Sequence, residues 1–233
     1  MKLNHYLVVL LMISTLWMAN AHAGSYECHA PVAAHENPNV TRGDFSAAVK
    51  FDEMKLTPTT VGFGATANRA DEITIVDGKL LLVRGGKAGL NARNQPSPNE
   101  GAVVLVSGTP AVWREAGKVD GVSSFDSLNF ALDNAVDDMK CDGSAVVPFK
   151  IVGHAKSVHW SVVNGPNKEV MNANNDVDVV IVGVYAKTDK EHLHMVKGYN
   201  LHAHVYLPTD GVAGHIQEVE LEDGGMLYLP AAK

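Results

Sequence analysis

His202-x-His204, followed by His215, is the arrangement in this chain best suited to chemistry. On a β-strand, residues i and i+2 point to the same face, so His202 and His204 project together. His215 opens the next strand candidate after the turn Pro208-Thr209-Asp210-Gly211. An antiparallel return would bring it beside the first two. Three imidazoles on one sheet face suit a zinc ion, Zn²⁺, and leave its fourth position open for water or substrate, as a catalytic metal requires. An H-x-H pair alone would more often be a solvated sheet face. Here Ala203 and Val205 are apolar, so the opposite face packs on a core and the register is set. A second pair, His192-Leu193-His194, sits in a polar, Lys-rich stretch without a third partner and reads as a solvated turn.

The elements that must hold these residues are mainly strands. Leu201 to Leu207 alternates, with Leu201, Ala203, Val205 and Leu207 on one face and His202, His204 and Tyr206 on the other. His215 to Glu222 is a further alternating run, and Asp223-Gly224-Gly225 turns into Met226 to Leu229. Asp178 to Tyr185 is the most apolar stretch and reads as a strand buried on both faces. Asp71 to Val83 is two apolar runs joined by Asp77-Gly78, a hairpin signal. Ala102 to Val106 is another strand, and Pro148 to Val163 reads as strand–turn–strand around Gly153. Ser123 to Asp138 carries Phe125, Leu128, Phe130, Leu132 and Val136 behind a Ser/Asp start, which predicts a helix. Gly85 to Gly101 and the Asn-rich Asn164 to Asp176 read as loops.

Composition narrows the class. The chain has 233 residues, 46% of them apolar and 19% charged, which suits one sizeable core rather than a disordered chain. The formal net charge of −7 argues against a nucleic-acid partner. No internal apolar run reaches the roughly 18 residues of a membrane span. The N-terminus has Lys2, an apolar run from Tyr6 to Trp17 and Ala21-His22-Ala23, the three parts of a cleavable secretory signal in order. Residues 1–23 are therefore expected to be a leader and 24–233 the folded domain, in a secreted or periplasmic protein. Cys28 and Cys141 are the two cysteines. In an oxidising compartment they are expected to pair.

The histidine segment also carries a resemblance. Gly198-Tyr199-Asn200-Leu201-His202-Ala203-His204, then Ala213-Gly214-His215, resembles the G-Y-H-L-H-F … G-G-H signature of α-acetolactate decarboxylases. Gly62-Phe63-Gly64-Ala65-Thr66 with Asp71-Glu72 and Val76-Asp77-Gly78 is similar to that family's G-x-G-T-F-x5-G-E … L-D-G block, with the offset from Ala65 to Glu72 kept. Lys150 to Val162 resembles its I-x-G-x-F strand pair. The resemblance covers roughly residues 43 to 222. It implies a mixed α/β, β-rich fold of two packed β-sheet lobes with few helices, often assembled as a homodimer. It implies zinc on His202, His204 and His215, and decarboxylation of 2-acetolactate to acetoin. Loss of carbon dioxide would leave an enediolate, stabilised by a Lewis-acid metal and protonated by a nearby carboxylic acid. Glu72 is the acid that the resemblance matches. The chain departs from the pattern at Ala65, where the family has Thr. It departs again at His159-Trp160-Ser161, where the family's Arg would hold the substrate carboxylate, and at its end, which lacks a tail glutamate. Lys156 or protonated His159 is the expected substitute for that Arg in binding substrate, though neither offers a bidentate fork.

Two functions are therefore expected from different classes. One is a secreted zinc-dependent decarboxylase of 2-acetolactate or a similar 2-hydroxy-3-oxo acid. The other is a non-catalytic exported relative that keeps the metal and binds a small ligand or a protein partner. Carbonic-anhydrase-like and cupin-like proteins also use H-x-H with a distant His, but neither the glycine-rich block nor the Glu72 spacing suits them.

Overall fold

A computed structural model describes residues 25–86 and 89–233. The expected leader, residues 1–23, lies outside the described residues. Two antiparallel sheets divide the described chain in sequence order. The first holds β1 (Val32–Glu36), β2 (Val49–Lys50), β3 (Val61–Thr66), β4 (Glu72–Val76), β5 (Lys79–Gly86), β6 (Gly89–Arg93) and β7 (Gly101–Gly108). Its order is β1-β7-β3-β4-β5-β6, with β2 paired to β7. The second holds β8 (Val112–Val119), β9 (Val146–Val163), β10 (Glu169–Ala186), β11 (Leu201–Leu207), β12 (Val212–Leu221) and β13 (Gly225–Ala231), with helix α1 (Phe125–Asp138) between β8 and β9. The expected β-rich fold of two packed sheets with few helices is what the chain forms.

In the second sheet β9 pairs with β10, β10 with β11, β11 with β12, and β12 again with β9, so these ladders close on themselves. The enclosed side chains, among them Phe149, Ile151, Trp160, Ile181, Ala203 and Val205, form the main core with the buried face of α1. Leu128, Leu132 and Val136 recur every four residues along that face. Phe130 is out of phase with them and is 64% exposed. Ser124 caps the helix by accepting from the Ser127 N–H.

Three expectations about local structure are corrected. No turn forms at Gly153, because β9 runs unbroken for 18 residues. Gly153 instead marks where the partner on one edge changes, from β13 at Lys150–Val152 to β12 at Ala155–Ser161, while β10 stays paired on the other. The Asn-rich segment is a loop only up to Lys168; residues 169–176 extend β10. Main-chain pairing with β9 overrides the weak strand propensity of Asn there. Asn174 Oδ1 also accepts the indole N–H of buried Trp160 at 2.9 Å. The Gly85 to Gly101 segment likewise contributes Gly85 and Gly86 to β5 and Gly89–Arg93 to β6.

Other expectations match. Asp77 and Gly78 both have positive φ, 50° and 74°, as a tight hairpin turn between β4 and β5 requires. Cys28 and Cys141 are joined in a disulfide, with Cα atoms 5.5 Å apart. It ties the N-terminal segment to the end of α1, where His29 bridges to Val146. No described helix is long and apolar enough to cross a membrane.

Candidate metal centre

The site forms where the inner faces of the two sheets meet. On β4, Ile73 and Ile75 point outward into a small core with Phe51 and Leu105, which turns Glu72 and Thr74 toward the second sheet. On β11, Leu201, Ala203, Val205 and Leu207 fill the main core, which turns His202 and His204 toward the first sheet. His215 lies directly opposite His204 across the β11–β12 ladder. Two glycines permit this closeness. A Cβ on Gly183 would lie 2.1 Å from the His202 carbonyl oxygen, and one on Gly214 would lie 2.6 Å from the Trp160 ring.

One nitrogen from each of His202, His204 and His215 lies within 4.8 Å of the others. His202 Nε2 and His215 Nδ1 are 2.9 Å apart. His202 Nδ1 donates to the His194 carbonyl at 2.6 Å, which holds its proton on Nδ1 and makes Nε2 the acceptor that faces His215 Nδ1. Phe63 stacks on the His202 ring, centroids 3.9 Å apart. His204 Nδ1 is 2.8 Å from Thr74 Oγ1, and its Nε2 is buried without a hydrogen-bond partner. Burial pushes all three imidazoles below the ordinary histidine value, so they are neutral at pH 7, the form that binds metal. An unpartnered buried nitrogen is costly. A zinc-type ion reached by three neutral imidazoles would satisfy it. The donor set fits such an ion.

Glu72 is 6% exposed and sits against this cluster, with Oε1 3.4 Å from His204 Nε2. Its Oε2 accepts the Val163 N–H at 2.8 Å. Burial pushes its carboxyl up to about 8, outweighing the Val163 hydrogen bond and the Arg69 charge. In the metal-free site this burial favours the protonated carboxyl over the carboxylate.

A cleft of about 280 Å³ opens beside the cluster, walled by Phe63, Ala65, Val103 and Val163 and reached by Glu72, His202 and His204. Glu36, Arg69 and His194 line it as well. Of the expected site residues, the fold brings together Glu72, His202, His204 and His215. Lys156 and His159 stand apart from them. Lys156 is exposed and pairs with Glu220 at 3.1 Å, and His159 is exposed. Neither borders the cleft, which corrects the expectation that they contact substrate there. The cleft meets β9 at Val163, four residues and about 13 Å of extended chain beyond His159. His194 lies in the expected turn, but that turn is only partly solvated: Leu193 is buried, the His194 carbonyl accepts from His202, and His194 lines the cleft. Thr74 was legible in principle, being two residues from Glu72 on the same strand. Glu36 and Arg69 come from segments with no local signal, whereas His194 belongs to the second H-x-H pair, which lacked only a visible partner.

No protein-family model matches the chain, and no curated protein matches it in sequence. Solved structures do. A Staphylococcus aureus protein of unknown function, described as similar to alpha-acetolactate decarboxylase, superposes with a TM-score of 0.65 at 14% identity, over 87% of this chain and 86% of its own. Acetolactate decarboxylase from Bacillus subtilis subspecies spizizenii gives 0.64 at 15% identity with the same coverage. Alpha-acetolactate decarboxylase from Bacillus subtilis strain 168 gives 0.65 at 12%, again over 87% and 86%. This chain has the acetolactate decarboxylase fold. At such identities the likeness concerns the fold alone, and the chemistry of the site rests on its own side chains.

Proposed function

We propose that this protein is an exported, zinc-dependent decarboxylase that converts 2-acetolactate, or a similar small 2-hydroxy-3-oxo acid, to acetoin and carbon dioxide. The observation that carries the proposal is the buried Glu72 carboxyl, 3.4 Å from His204 Nε2, beside a cluster of three imidazoles that borders a small cleft. His202, His204 and His215 would hold the metal, which supplies Lewis-acid stabilisation of the electron pair left when carbon dioxide departs. Thr74 and the His194 carbonyl hold the outer nitrogens of His204 and His202 and so aim their inner lone pairs. Phe63, Val103 and Val163 give the cleft apolar walls, which would disfavour water beside the reacting carbon. Glu72 donates the proton that the carbon needs once the carboxyl group has left. The disulfide supports passage through an oxidising compartment, in keeping with a leader at 1–23.

Acetoin release from racemic acetolactate, with and without chelator, tests the activity. Glu72→Gln keeps size and removes the proton donor, so turnover should fall about 10²–10⁴-fold with zinc still bound. Retention of most activity by this variant would remove Glu72 from the role. One observation favours a second reading, a non-catalytic metal-binding relative. The cleft is lined by Ala65 where the resembling family has Thr, and the expected carboxylate holders, Lys156 and His159, lie outside it. Zinc binding without turnover of any acetolactate homologue would establish that reading.

A further inference from the structure

Arg69 is the one permanent cation lining the metal-centre cleft among the described residues. It lies in the turn Ala67–Arg69 between β3 and β4. Three arginines crowd this corner of the first sheet, and they are used differently. Arg84 donates two hydrogen bonds of 2.9 Å to the Asp71 carboxylate. Arg93 bridges Asp71 and Glu100. Arg69 forms no ion pair among the described residues. Its guanidinium makes one long hydrogen bond, 3.4 Å, to the Pro166 carbonyl, which leaves most of its five donors uncommitted.

The turn that presents Arg69 is held from several sides. Asn68 and Arg69 are consecutive residues with positive φ, 60° and 48°, a conformation unfavourable for residues other than glycine. The surroundings fix it. The Asn68 N–H donates to the Phe45 carbonyl at 2.7 Å, and the Arg69 carbonyl accepts from the Gly165 N–H at 2.7 Å. The Asp71 N–H donates to Thr66 Oγ1 at 2.8 Å. Asp71 itself is anchored by the two paired arginines. An arginine that lines a cleft with mainly apolar walls, and whose guanidinium is paired with neither Glu36 nor Glu72 of the same lining, is suited to a planar anion, which it can grip through two parallel N–H···O bonds.

We infer that Arg69 anchors the carboxylate of the ligand, so that this cleft selects small monoanionic carboxylic acids over their neutral counterparts. The inference deepens the proposed function and rests on it for the identity of the substrate. It also supplies, from a turn between the strands of the first sheet, the cation that Lys156 and His159 were expected to provide from β9.

Isothermal titration with 2-hydroxy-2-methylpropanoate and its neutral amide tests the assignment. The full chain is titrated first metal-free, so that a carboxylate–zinc bond cannot create the preference, and then with zinc. The wild type should favour the acid over the amide at least tenfold. Arg69→Gln, which keeps a donor for the Pro166 carbonyl, should weaken acid binding about 10- to 100-fold and leave amide binding unchanged. Arg69→Lys should recover part of the loss, as a point charge without the fork. Circular dichroism and zinc content should match the wild type in both variants. Equal binding of acid and amide by the wild type, binding of neither, or acid affinity in Arg69→Gln within threefold of wild type would overturn the inference. If zinc is bound and Arg69→Gln still grips the acid, Arg69 fails and the metal reading stands. If acid binding depends on Arg69 but no zinc is taken up, the anion site stands and the decarboxylase reading fails.

Discussion

Replacing Thr74 by Val removes one hydroxyl and nearly preserves side-chain shape. Thr74 is 1% exposed and His204 is fully buried, so no solvent can take the hydroxyl's place. When His204 Nε2 binds a metal, its proton must sit on Nδ1, facing Thr74 Oγ1 at 2.8 Å. In Thr74→Val that N–H faces a methyl group. A buried donor left unpaired costs about 1–3 kcal/mol. The metal-free protein escapes part of this cost, because a neutral imidazole can move its proton to Nε2, on the side of Glu72 Oε1 at 3.4 Å, and so leave no N–H facing the methyl group. The penalty therefore falls on the metal-bound state. At about 1.4 kcal/mol per tenfold, zinc affinity should drop roughly 5- to 150-fold, which overlaps the 10- to 100-fold typical of lost outer hydrogen bonds to ligating histidines. Competition against a fluorescent chelator at pH 7.5 reads the affinity directly. Thr74→Ser restores the hydroxyl and should bind zinc nearly as wild type does. Wild-type affinity in Thr74→Val would refute the reasoning, and so would an equal loss in Thr74→Ser, which would point to packing instead.

Further perturbations probe the scaffold. Gly183→Ala places a Cβ 2.1 Å from the His202 carbonyl oxygen and 2.8 Å from the Phe149 ring, so β11 must shift. Such overpacking costs typically 1–3 kcal/mol, and both a lower Tm and weaker zinc binding are expected by calorimetry and chelator competition. Cys28 and Cys141 are 113 residues apart, and in the chain-entropy model opening their disulfide removes up to about 5 kcal/mol. A Tm lowered by roughly 10–20 °C in Cys28→Ser/Cys141→Ser, measured by circular dichroism, is the expected result. His154 is hydrogen-bonded to Asp178 and Asp176, both at 2.9 Å, which pushes its pKa above the ordinary value. Its contribution to stability is therefore full below about pH 6.5 and is lost as pH rises through the folded-state value. NMR titration of its ring should give a raised midpoint that moves down in Asp178→Asn.

Chemistry carried by short spacing could be read from the sequence alone. His202 and His204 share a face because strand geometry alternates, and the apolar Ala203 and Val205 dictate which face is buried. The Asp77-Gly78 turn and helix α1 were legible for the same reason, since a tight turn demands positive φ and a helix buries every third or fourth residue. Cysteine pairing followed from the number of cysteines and the expected export. What the sequence could not reveal depends on contacts between distant segments. Residues 169–176 read as a loop because Asn is a poor strand former, and only the β9 ladder makes them strand. Gly153 read as a turn because a partner switch along one edge leaves no local trace. Lys156 and His159 had the right charge and the wrong place along β9. Arg69, Glu36 and His194 reach the cleft from segments far apart in sequence, and nothing local announces that they converge. The raised pKa of Glu72 belongs to the same class, because its cause is burial between two sheets, and burial is a property of the packed molecule.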